Sequence, residues 1–250
     1  MQRYFVAKEQ MTEKSVQITG DDVKHISKVM RMDVNDEIVC TDNDSRTVKC
    51  RLVSLTDQEI VAEIIDELQP NTELPVKVTI AQGLPKGDKL DLIVQKGTEL
   101  GASAFLPFSA KRSIVKWDHK KASKKIERLE KIAKEAAEQS YRERIPEVYD
   151  VRSFSTLQQE LSAYDTVILA YEESAKEGEQ AQFAKVLSTV SPGQSILIII
   201  GPEGGMTEDE VDQLRANGVN ICGFGPRILR TETASLYALA AISYHFELMR

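Results

Sequence analysis

The chain of 250 residues has few cysteines and no long apolar run. Its three cysteines, Cys40, Cys50 and Cys222, are scattered and form no Cys-x-x-Cys pair. This spacing indicates neither a disulfide framework nor a metal site, and it is typical of a reducing compartment. The longest purely aliphatic run, residues 196–200, is far shorter than the roughly 20 residues that a membrane-spanning helix needs. The N-terminal segment also lacks the apolar core and cleavage site of a signal peptide. We therefore expect a cytoplasmic protein with no membrane partner.

The chain also lacks an excess of positive charge. It has 32 Lys and Arg against 39 Asp and Glu, a formal net charge of −7. This balance excludes a uniformly basic nucleic-acid binder. The charge is unevenly distributed, however, because residues 111–134 contain ten basic and three acidic residues. We call this segment the basic strip; it is a candidate for phosphate contacts, with a solvated helix face as the alternative.

The first part of the chain has the pattern of a small β-structure. Short segments with alternating or β-branched residues predict five strands, separated by turn-forming residues. These strands are predicted at 3–6, 15–18, 37–40, 47–53 and 59–65. An N-cap signal at 20–22, followed by apolar residues at helical spacing, predicts one helix. Many short strands with one helix favour a β-barrel.

Residues 69–75 contain two prolines and no periodicity, which predicts a domain boundary. Beyond them, apolar strands alternate with helices, a pattern typical of a parallel sheet covered on both faces. Strands are predicted at 76–81, 104–108, 166–171, 195–200 and 219–224, and helices at 88–100, 118–141, 207–218 and 232–249. The chain is therefore predicted to be an α/β protein with domains at 1–72 and 73–250.

Ligands of open α/β sheets bind at the carboxyl ends of the strands, and three strand ends here have unusual compositions. Three glycines within residues 201–205 would let the backbone approach a ligand, although a tight strand-helix turn is the alternative. Two arginines, Arg227 and Arg230, follow a glycine turn and are suited to holding a phosphate or a base edge. The third strand ends at Tyr171, where a ligand contact and a solvated loop explain the composition equally well.

Two of these segments carry a family resemblance. Ile-Gly-Pro-Glu-Gly-Gly at 200–205 and Phe-Gly-Pro-Arg-Ile-Leu-Arg-Thr-Glu-Thr-Ala at 224–234 together resemble the SPOUT class of RNA methyltransferases. More narrowly, the chain resembles the RsmE family of 16S ribosomal RNA uridine N3-methyltransferases. Matches at 3–6, 86–89 and 95–101 occur in the same order along the chain.

The resemblance implies a PUA-like RNA-binding β-barrel at 1–72 and a SPOUT α/β domain at 73–250 that contains a C-terminal deep trefoil knot. It further implies S-adenosylmethionine (SAM) as cofactor and a homodimer formed through the SPOUT domain. The residues carried over to the SAM pocket are Leu169, Ala170, Tyr171, Gly201, Pro202, Glu203, Gly204, Gly205, Phe224, Gly225, Ile228, Leu229, Arg230 and Thr233.

The implied reaction is methylation of a uridine N3 in 16S rRNA of the small ribosomal subunit. Because N3 carries a proton on the Watson–Crick edge, the base must be unpaired and must lose that proton. Arg230 is the candidate for stabilising the resulting anion, and Glu203 or Glu232 for accepting the proton, although helix capping explains Glu232 equally well.

RNA contacts are predicted for His25, Lys28, Arg31, Arg112, Lys120, Lys121, Lys124, Lys125 and Arg142. Two alternatives remain open at this point. One is a SPOUT methyltransferase that acts on tRNA or on a ribose 2′-oxygen. The other is an RNA-binding assembly factor without catalytic activity.

Overall fold

The computed structural model describes residues 1–44, 46–172 and 182–249, and the side chain of His119 lies outside this description. The chain divides into two compact units. The first comprises Met1–Glu73 and Ala137–Ile145, and the second comprises Leu74–Ala136 and Pro146–Arg250. Residues 137–145 therefore belong to the first unit, although they follow 63 residues of the second in the chain.

The first unit contains a five-stranded sheet and confirms all five predicted strands. These are β1 Gln2–Phe5, β2 Ser15–Thr19, β3 Glu37–Thr41, β4 Thr47–Leu55 and β5 Glu59–Leu68. The predicted helix is α1 Asp21–Lys24, which continues as a π-helical turn over His25–Val29, and a 3₁₀ turn covers Lys8–Gln10. Alternating residues on the strands bury Ile18, Ile38, Leu52 and Ile60 in one core, against which α1 and its extension place Ile26.

The sheet is half of a barrel. Its order is β1-β3-β4-β5-β2, with β1 and β2 at the two edges. The β-barrel predicted from the sequence is thus seen as a half-barrel sheet, since no ladder joins β1 to β2 within the described residues. Register shifts in the β4–β5 ladder, between Lys49 and Cys50 and between Leu52 and Ser54, interrupt the pairing, and such bulges bend a strand.

An ion pair ties residues 137–145 into the first unit. The guanidinium of Arg142, only 3% exposed, donates Nε to Glu73 Oε1 at 2.8 Å and pairs through Nη2 with Glu73 Oε2. The backbone N–H of Glu143 also donates to Glu73 Oε1, at 2.9 Å. Tyr141 adopts a left-handed φ of 58°, which ends the preceding helix at Gln139 and turns the chain toward this pair.

The second unit contains a seven-stranded sheet whose pairings are all parallel, as predicted. Its strands are β6 Lys77–Gly83, β7 Ala104–Ser109, β8 Glu147–Val148, β9 Arg152–Ser153, β10 Thr166–Ala170, β11 Ser195–Ile200 and β12 Asn220–Cys222. The order is β12-β10-β11-β6-β7-β8, with β9 paired to β7. Central strand β11 is a continuous apolar run with five of its six residues buried, as expected for a strand covered on both faces.

Helices connect these strands. They are α2 Lys89–Glu99, α3 His119–Gln139, α4 Phe154–Glu160, α5 Gln182–Leu187, α6 Glu208–Ala216 and α7 Thr231–Ser243, which continues as a π-helical turn over Tyr244–Leu248. The predicted capping box opens α6, since Thr207 accepts from the backbone of Glu210 and the Glu210 carboxylate accepts from the backbone of Thr207. In the described part of the chain, no helix has the length and apolarity to cross a membrane.

Candidate active site

A cavity of about 500 Å³ opens at the carboxyl ends of β10, β11 and β12 in the second unit. This is the edge of the sheet at which a ligand site was predicted. The segments that follow the three strands form most of its wall. The lining residues are Lys89, Arg112, Ala170, Tyr171, Glu172, Ile200, Gly201, Pro202, Glu203, Gly204, Gly205, Met206, Phe224, Gly225, Arg227, Ile228, Leu229, Arg230, Thr231 and Ala234.

Glycines let the cavity wall follow a path that side chains would block. Gly205 has a left-handed φ of 69°, a conformation that other residues adopt only at a cost. At the end of β6, a Cβ on Gly83 would lie 2.6 Å from the backbone nitrogen of Pro202. The absence of a side chain at Gly83 is therefore what allows the β6 end and the 201–205 loop to pack together.

We predict that Gly83→Ala displaces the 201–205 loop. A contact of 2.6 Å to backbone cannot be relieved by a side-chain rotation, so we expect a loss of about 1–3 kcal/mol in the free energy of unfolding, the usual cost of overpacking. Urea denaturation measures this loss. Gly193→Ala, at the opposite end of β11, is the control, because its Cβ would meet nothing within 4 Å and only its left-handed φ of 89° is disfavoured. Equal stability of Gly83→Ala and wild type would show that the loop does not depend on this close approach.

A buried hydrogen-bond cluster fastens the cavity loops to β6 and α7. Gln82, fully buried, donates Nε2 to Thr231 Oγ1 at 2.8 Å. Thr231 Oγ1 in turn donates to the carbonyl of Gly201 at 2.6 Å. Ser235 Oγ donates to Gln82 Oε1 at 2.6 Å, which completes the amide's partners. The start of α7 and the start of the glycine loop are thereby held at one point.

Acidic and basic side chains meet at the edge of the cavity. Lys89, in the first turn of α2, places Nζ 2.9 Å from Glu203 Oε1 and 3.3 Å from Glu232 Oε2. The backbone N–H of Lys86 also donates to Glu203 Oε1, at 3.0 Å. Burial alone would raise the pKa of Glu203, but the hydrogen bonds from Lys89 and Lys86 outweigh it and hold that pKa below its ordinary value. Glu203 is consequently a carboxylate at neutral pH.

Three arginines line the cavity, and they differ in their partners. Arg112 donates Nη1 to the carbonyls of Gly204 and Met206, at 3.1 and 3.3 Å, and so supports the glycine loop. Arg227 and Arg230 are exposed, and neither forms an ion pair with any described residue. Two guanidinium groups are therefore available at this cavity for an anionic ligand.

Comparisons with known proteins identify the family to which the chain belongs. Residues 72–243 match the model of an RNA methyltransferase domain, and residues 18–65 match an RNA methyltransferase PUA domain. The chain is 54% identical to the ribosomal RNA small subunit methyltransferase E of Bacillus subtilis (strain 168), with 100% of this chain and 99% of the relative covered. The chain belongs to the ribosomal RNA small subunit methyltransferase E family.

Other members of the methyltransferase E family show the same likeness. The protein of that name from Synechocystis sp. is 32% identical and covers 96% of this chain and 77% of its own. A crystal structure of the Neisseria gonorrhoeae family member, bound to S-adenosyl methionine, is 30% identical with a TM-score of 0.84, and it covers 98% of both chains. The likeness thus extends over both units of the chain.

The structure brings most of the residues predicted for a methyltransferase E cofactor pocket to one cavity. Twelve of the fourteen line it, from Ala170 at the end of β10 to Arg230 before α7. The other two lie elsewhere: the side chain of Leu169 is fully buried in the sheet core, and Thr233 points to solvent from the first turn of α7. Of the three predicted catalytic residues, Arg230 and Glu203 line the cavity, whereas Glu232 lies behind Lys89.

The predicted RNA contacts have different surroundings. Lys120, Lys121 and Lys124 are exposed on the first turns of α3, and Lys125 is half-buried there. In the first unit, Lys28 and Arg31 are exposed, and His25 is half-buried with Nδ1 3.0 Å from Tyr4 Oη.

The prediction that Arg142 contacts RNA is wrong. Its guanidinium is buried and committed to Glu73, so it holds residues 137–145 in place and has no surface to offer to a phosphate.

Sequence reasoning missed several residues of the cavity. Lys89 and Arg112 were not assigned to a ligand pocket, and Gln82, which fastens the cavity loops, was not noted at all. Gln82 carried a usable signal, because it is a polar residue directly after the strand predicted at 76–81, at the edge of the sheet where ligands bind. Lys89 had a weaker one, since it is part of the Lys-Gly-Asp-Lys segment that contributed to the family resemblance.

Proposed function

We propose that this chain transfers the methyl group of SAM to N3 of a uridine in the 16S rRNA of the small ribosomal subunit. The observation that carries the proposal is the glycine-walled cavity, which has the unpaired Arg230 guanidinium and the Glu203 carboxylate in its lining. Membership of the methyltransferase E family supports the rRNA substrate. A cytoplasmic location follows from this substrate, because ribosomal subunits are found there.

The cavity fits SAM in size and chemistry. Its volume of about 500 Å³ lies within the range of sites for small ligands, and its wall combines apolar side chains such as Phe224 and Leu229 with open backbone at Gly205 and Gly225. The SAM-bound structure of the Neisseria gonorrhoeae relative supports the assignment. When bound, SAM supplies a methyl group activated by a positively charged sulfur.

In this proposal the chain's own residues prepare the uracil. Arg230, exposed and without an ion-pair partner among the described residues, stabilises the anion that forms when N3 loses its proton. A carboxylate of the Glu203 and Glu232 pair accepts that proton. The twelve predicted pocket residues that line the cavity align the methyl group with N3.

We further propose that the basic strip contacts rRNA phosphates and that the unit formed around 1–72 is the RNA-binding PUA-like domain. The first turns of α3 present Lys120, Lys121 and Lys124 to solvent, and for these three lysines no ion-pair partner is found in the described chain. The match of residues 18–65 to an RNA methyltransferase PUA domain supports the second assignment.

Replacement of Lys120, Lys121, Lys124 and Lys125 by alanine is expected to weaken RNA binding. Four lost phosphate contacts lower the slope of log K against log salt by about 3, at roughly 0.7 per contact with a single strand. Filter binding at several salt concentrations measures the slope, and SAM affinity stays unchanged. The control removes four cations of the second unit outside the strip, Lys77, Lys96, Lys185 and Arg215, and an identical slope in the two variants would exclude the strip as the RNA contact.

We propose that the C-terminal segment forms the knot of the SPOUT class. Strand β12 lies at one edge of the sheet and is separated from β6 by β10 and β11. Helix α7, which follows β12 in the chain, nevertheless packs against α2, the helix that follows β6. The segment that joins β12 to α7 passes the 201–205 loop, where Thr231 Oγ1 donates a hydrogen bond to the Gly201 carbonyl. This crossing supports a threaded chain.

We also propose that α7 and its extension form a homodimer interface. Tyr237, Tyr244 and Leu248 follow one another at helical spacing and are exposed by 42%, 57% and 72%. An exposed apolar stripe of this kind is typical of a protein interface.

The double variant Tyr244→Glu and Leu248→Glu is expected to be monomeric, because four buried carboxylates would enter each dimer interface. Light scattering coupled to size exclusion gives the mass, expected at twice the chain's 28.0 kDa for wild type and at 28.0 kDa for the variant. Val53→Glu, on an exposed position of β4, is the control and stays dimeric. A monomeric wild type would contradict the proposal.

Methyl transfer in vitro tests the proposed function. The purified protein is incubated with methyl-labelled SAM and, separately, with small subunits, naked 16S rRNA and tRNA from a strain that lacks the modification. We expect label in 16S rRNA, as free RNA or in the subunit. Label in tRNA alone would overturn the rRNA substrate. Absence of transfer together with absence of a thermal shift by SAM would instead indicate a binding factor without activity.

A further inference from the structure

Lys89 connects two carboxylates whose environments differ. Glu203 lines the cavity, and its Oε1 accepts from both Lys89 Nζ and the backbone of Lys86. No hydrogen bond from another described residue reaches its Oε2. Glu232 lies on the far side of Lys89, with a side chain only 15% exposed and outside the cavity lining. One carboxylate thus faces the cavity with a free oxygen, and the other faces the lysine.

We propose that Lys89 is a positioning residue that makes Glu203 the proton acceptor, with Glu232 as the anchor of Lys89. The inference rests on the proposed function and deepens it, because it assigns different roles to the two candidate carboxylates. An acceptor held by a second group, which a third group fixes in turn, is the arrangement by which enzymes orient a base.

The geometry explains why a lysine is needed at this position. With Lys89 present, two carboxylates can be ionised side by side, because Nζ lies within 3.3 Å of both. Without it, their mutual repulsion would favour protonation of one of them. Because Lys89 Nζ also donates a hydrogen bond to Glu203 Oε1, only Oε2 is left to accept a proton.

The chemical step balances with the groups named. The N3 proton passes to Glu203 Oε2, directly or through one water molecule. The electron pair left on N3 forms the new bond to the methyl carbon while the carbon–sulfur bond breaks and its electron pair goes to sulfur. Glu203 then releases the proton to water.

Other charged groups lie around the cavity that Glu203 lines. They are Lys86 before α2, Arg112 beneath the glycine loop, Glu172 after β10, and Arg227, Arg230 and Glu232 before and at the start of α7. Lys89 is the cation that contacts both carboxylates, so its removal changes their titration directly.

The test compares Lys89→Met, Lys89→Arg, Glu203→Gln and Glu232→Gln with wild type in methyl transfer across pH. Glu203→Gln removes the acceptor and is expected to lower kcat at least 100-fold. In Lys89→Met, loss of the cation raises the carboxylate pKa, so the acidic limb of the kcat profile moves to higher pH. Lys89→Arg keeps the cation, so the acidic limb of its kcat profile is expected at the same pH as in wild type. Glu232→Gln is expected to lower kcat less than Glu203→Gln does.

A matched control and a second readout make the outcome decisive. Lys96→Met removes a lysine of the same helix that pairs with Glu99, and its pH profile matches wild type. Carbon-13 NMR titration of Glu203 in wild type and Lys89→Met reports the coupling without any turnover. An unchanged Glu203 titration, or a full-rate Glu203→Gln enzyme, would overturn the inference. Failure of wild type to methylate rRNA, with the NMR shift intact, would overturn the proposed function instead.

Discussion

Replacement of Arg230 by alanine is expected to lower kcat for methyl transfer by roughly 100- to 1,000-fold, the usual effect of removing one group that stabilises a developing anion. Arg230 lines the cavity, is exposed, and forms no ion pair with a described residue, so its charge is available to the uracil. Because it precedes α7 and its side chain forms no hydrogen bond or ion pair with the described residues, the fold should not depend on it. Single-turnover kinetics with excess enzyme measures the chemical step.

The control for Arg230→Ala is Arg215→Ala. Arg215 is an exposed arginine on α6 in the same unit, and its partner, Asp212, is a neighbour on the helix. This variant is expected to keep the wild-type rate and the wild-type SAM affinity. Because Arg230 lines the proposed SAM cavity, Arg230→Ala is measured at saturating SAM, so that a change in SAM affinity does not enter its rate. A fully active Arg230→Ala enzyme would remove the anion-stabilising role.

Replacement of Arg142 by methionine is expected to cost about 3 kcal/mol or more in the free energy of unfolding. Breaking a buried pair leaves the second charge without compensation, which is more costly than losing a surface pair. Arg142 is 3% exposed, whereas the side chain of Glu73 is 26% exposed, so the cost lies toward the lower end of the usual range. Urea denaturation measures it. Arg51→Met, which removes a longer surface pair with Glu37, is the control and should cost less than about 1 kcal/mol.

This pair also predicts a dependence of stability on pH. Burial alone would raise the pKa of Glu73, but Arg142 and the backbone N–H groups of Glu143 and Arg144 outweigh it and lower that pKa from 4.5. A carboxylate with a lowered folded-state pKa adds stability above its unfolded pKa and loses it as the pH falls through the folded value. Wild type should therefore lose this contribution below about pH 4.5, and Arg142→Met should lose less. A variant as stable as wild type at neutral pH would contradict the structural role of the pair.

The regular elements were predictable from the sequence because their patterns are local. Strand β11 is an unbroken apolar run, and α6 begins at a capping box, so both follow from a few neighbouring residues. The two-residue strands β8 and β9 and helix α4 were missed, since segments this short carry little periodicity. Helix α3 ended two residues before its predicted end because Tyr141 adopts a left-handed conformation that is usually taken by glycine.

Contacts between residues far apart in the sequence were much harder to predict. Arg142 was predicted to contact RNA, and only the fold shows that it is buried against Glu73, 69 residues away in the chain. The β-barrel was inferred from the number of short strands, but the pairing of the edge strands depends on contacts that the strand count does not specify, and the structure shows a half-barrel sheet.

The sequence predicted which loops form the candidate site, but it did not predict which side chains contact one another there. Glycines and arginines after β11 and β12 marked the cavity wall, and the parallel sheet required these strand ends to meet at one edge. The bridge from Lys89 to Glu203 and Glu232 spans more than 100 residues of chain and has no local pattern. Its detection required the structure.

Nucleoside analysis of the methylated product tests the central claim most directly. Small subunits or 16S rRNA lacking the modification are treated with the protein and labelled SAM, the RNA is digested to nucleosides, and the labelled species is identified by chromatography and mass spectrometry. Our account predicts the label in N3-methyluridine from a single site of 16S rRNA. Label in a 2′-O-methyl nucleoside, or in no uridine at all, would contradict it.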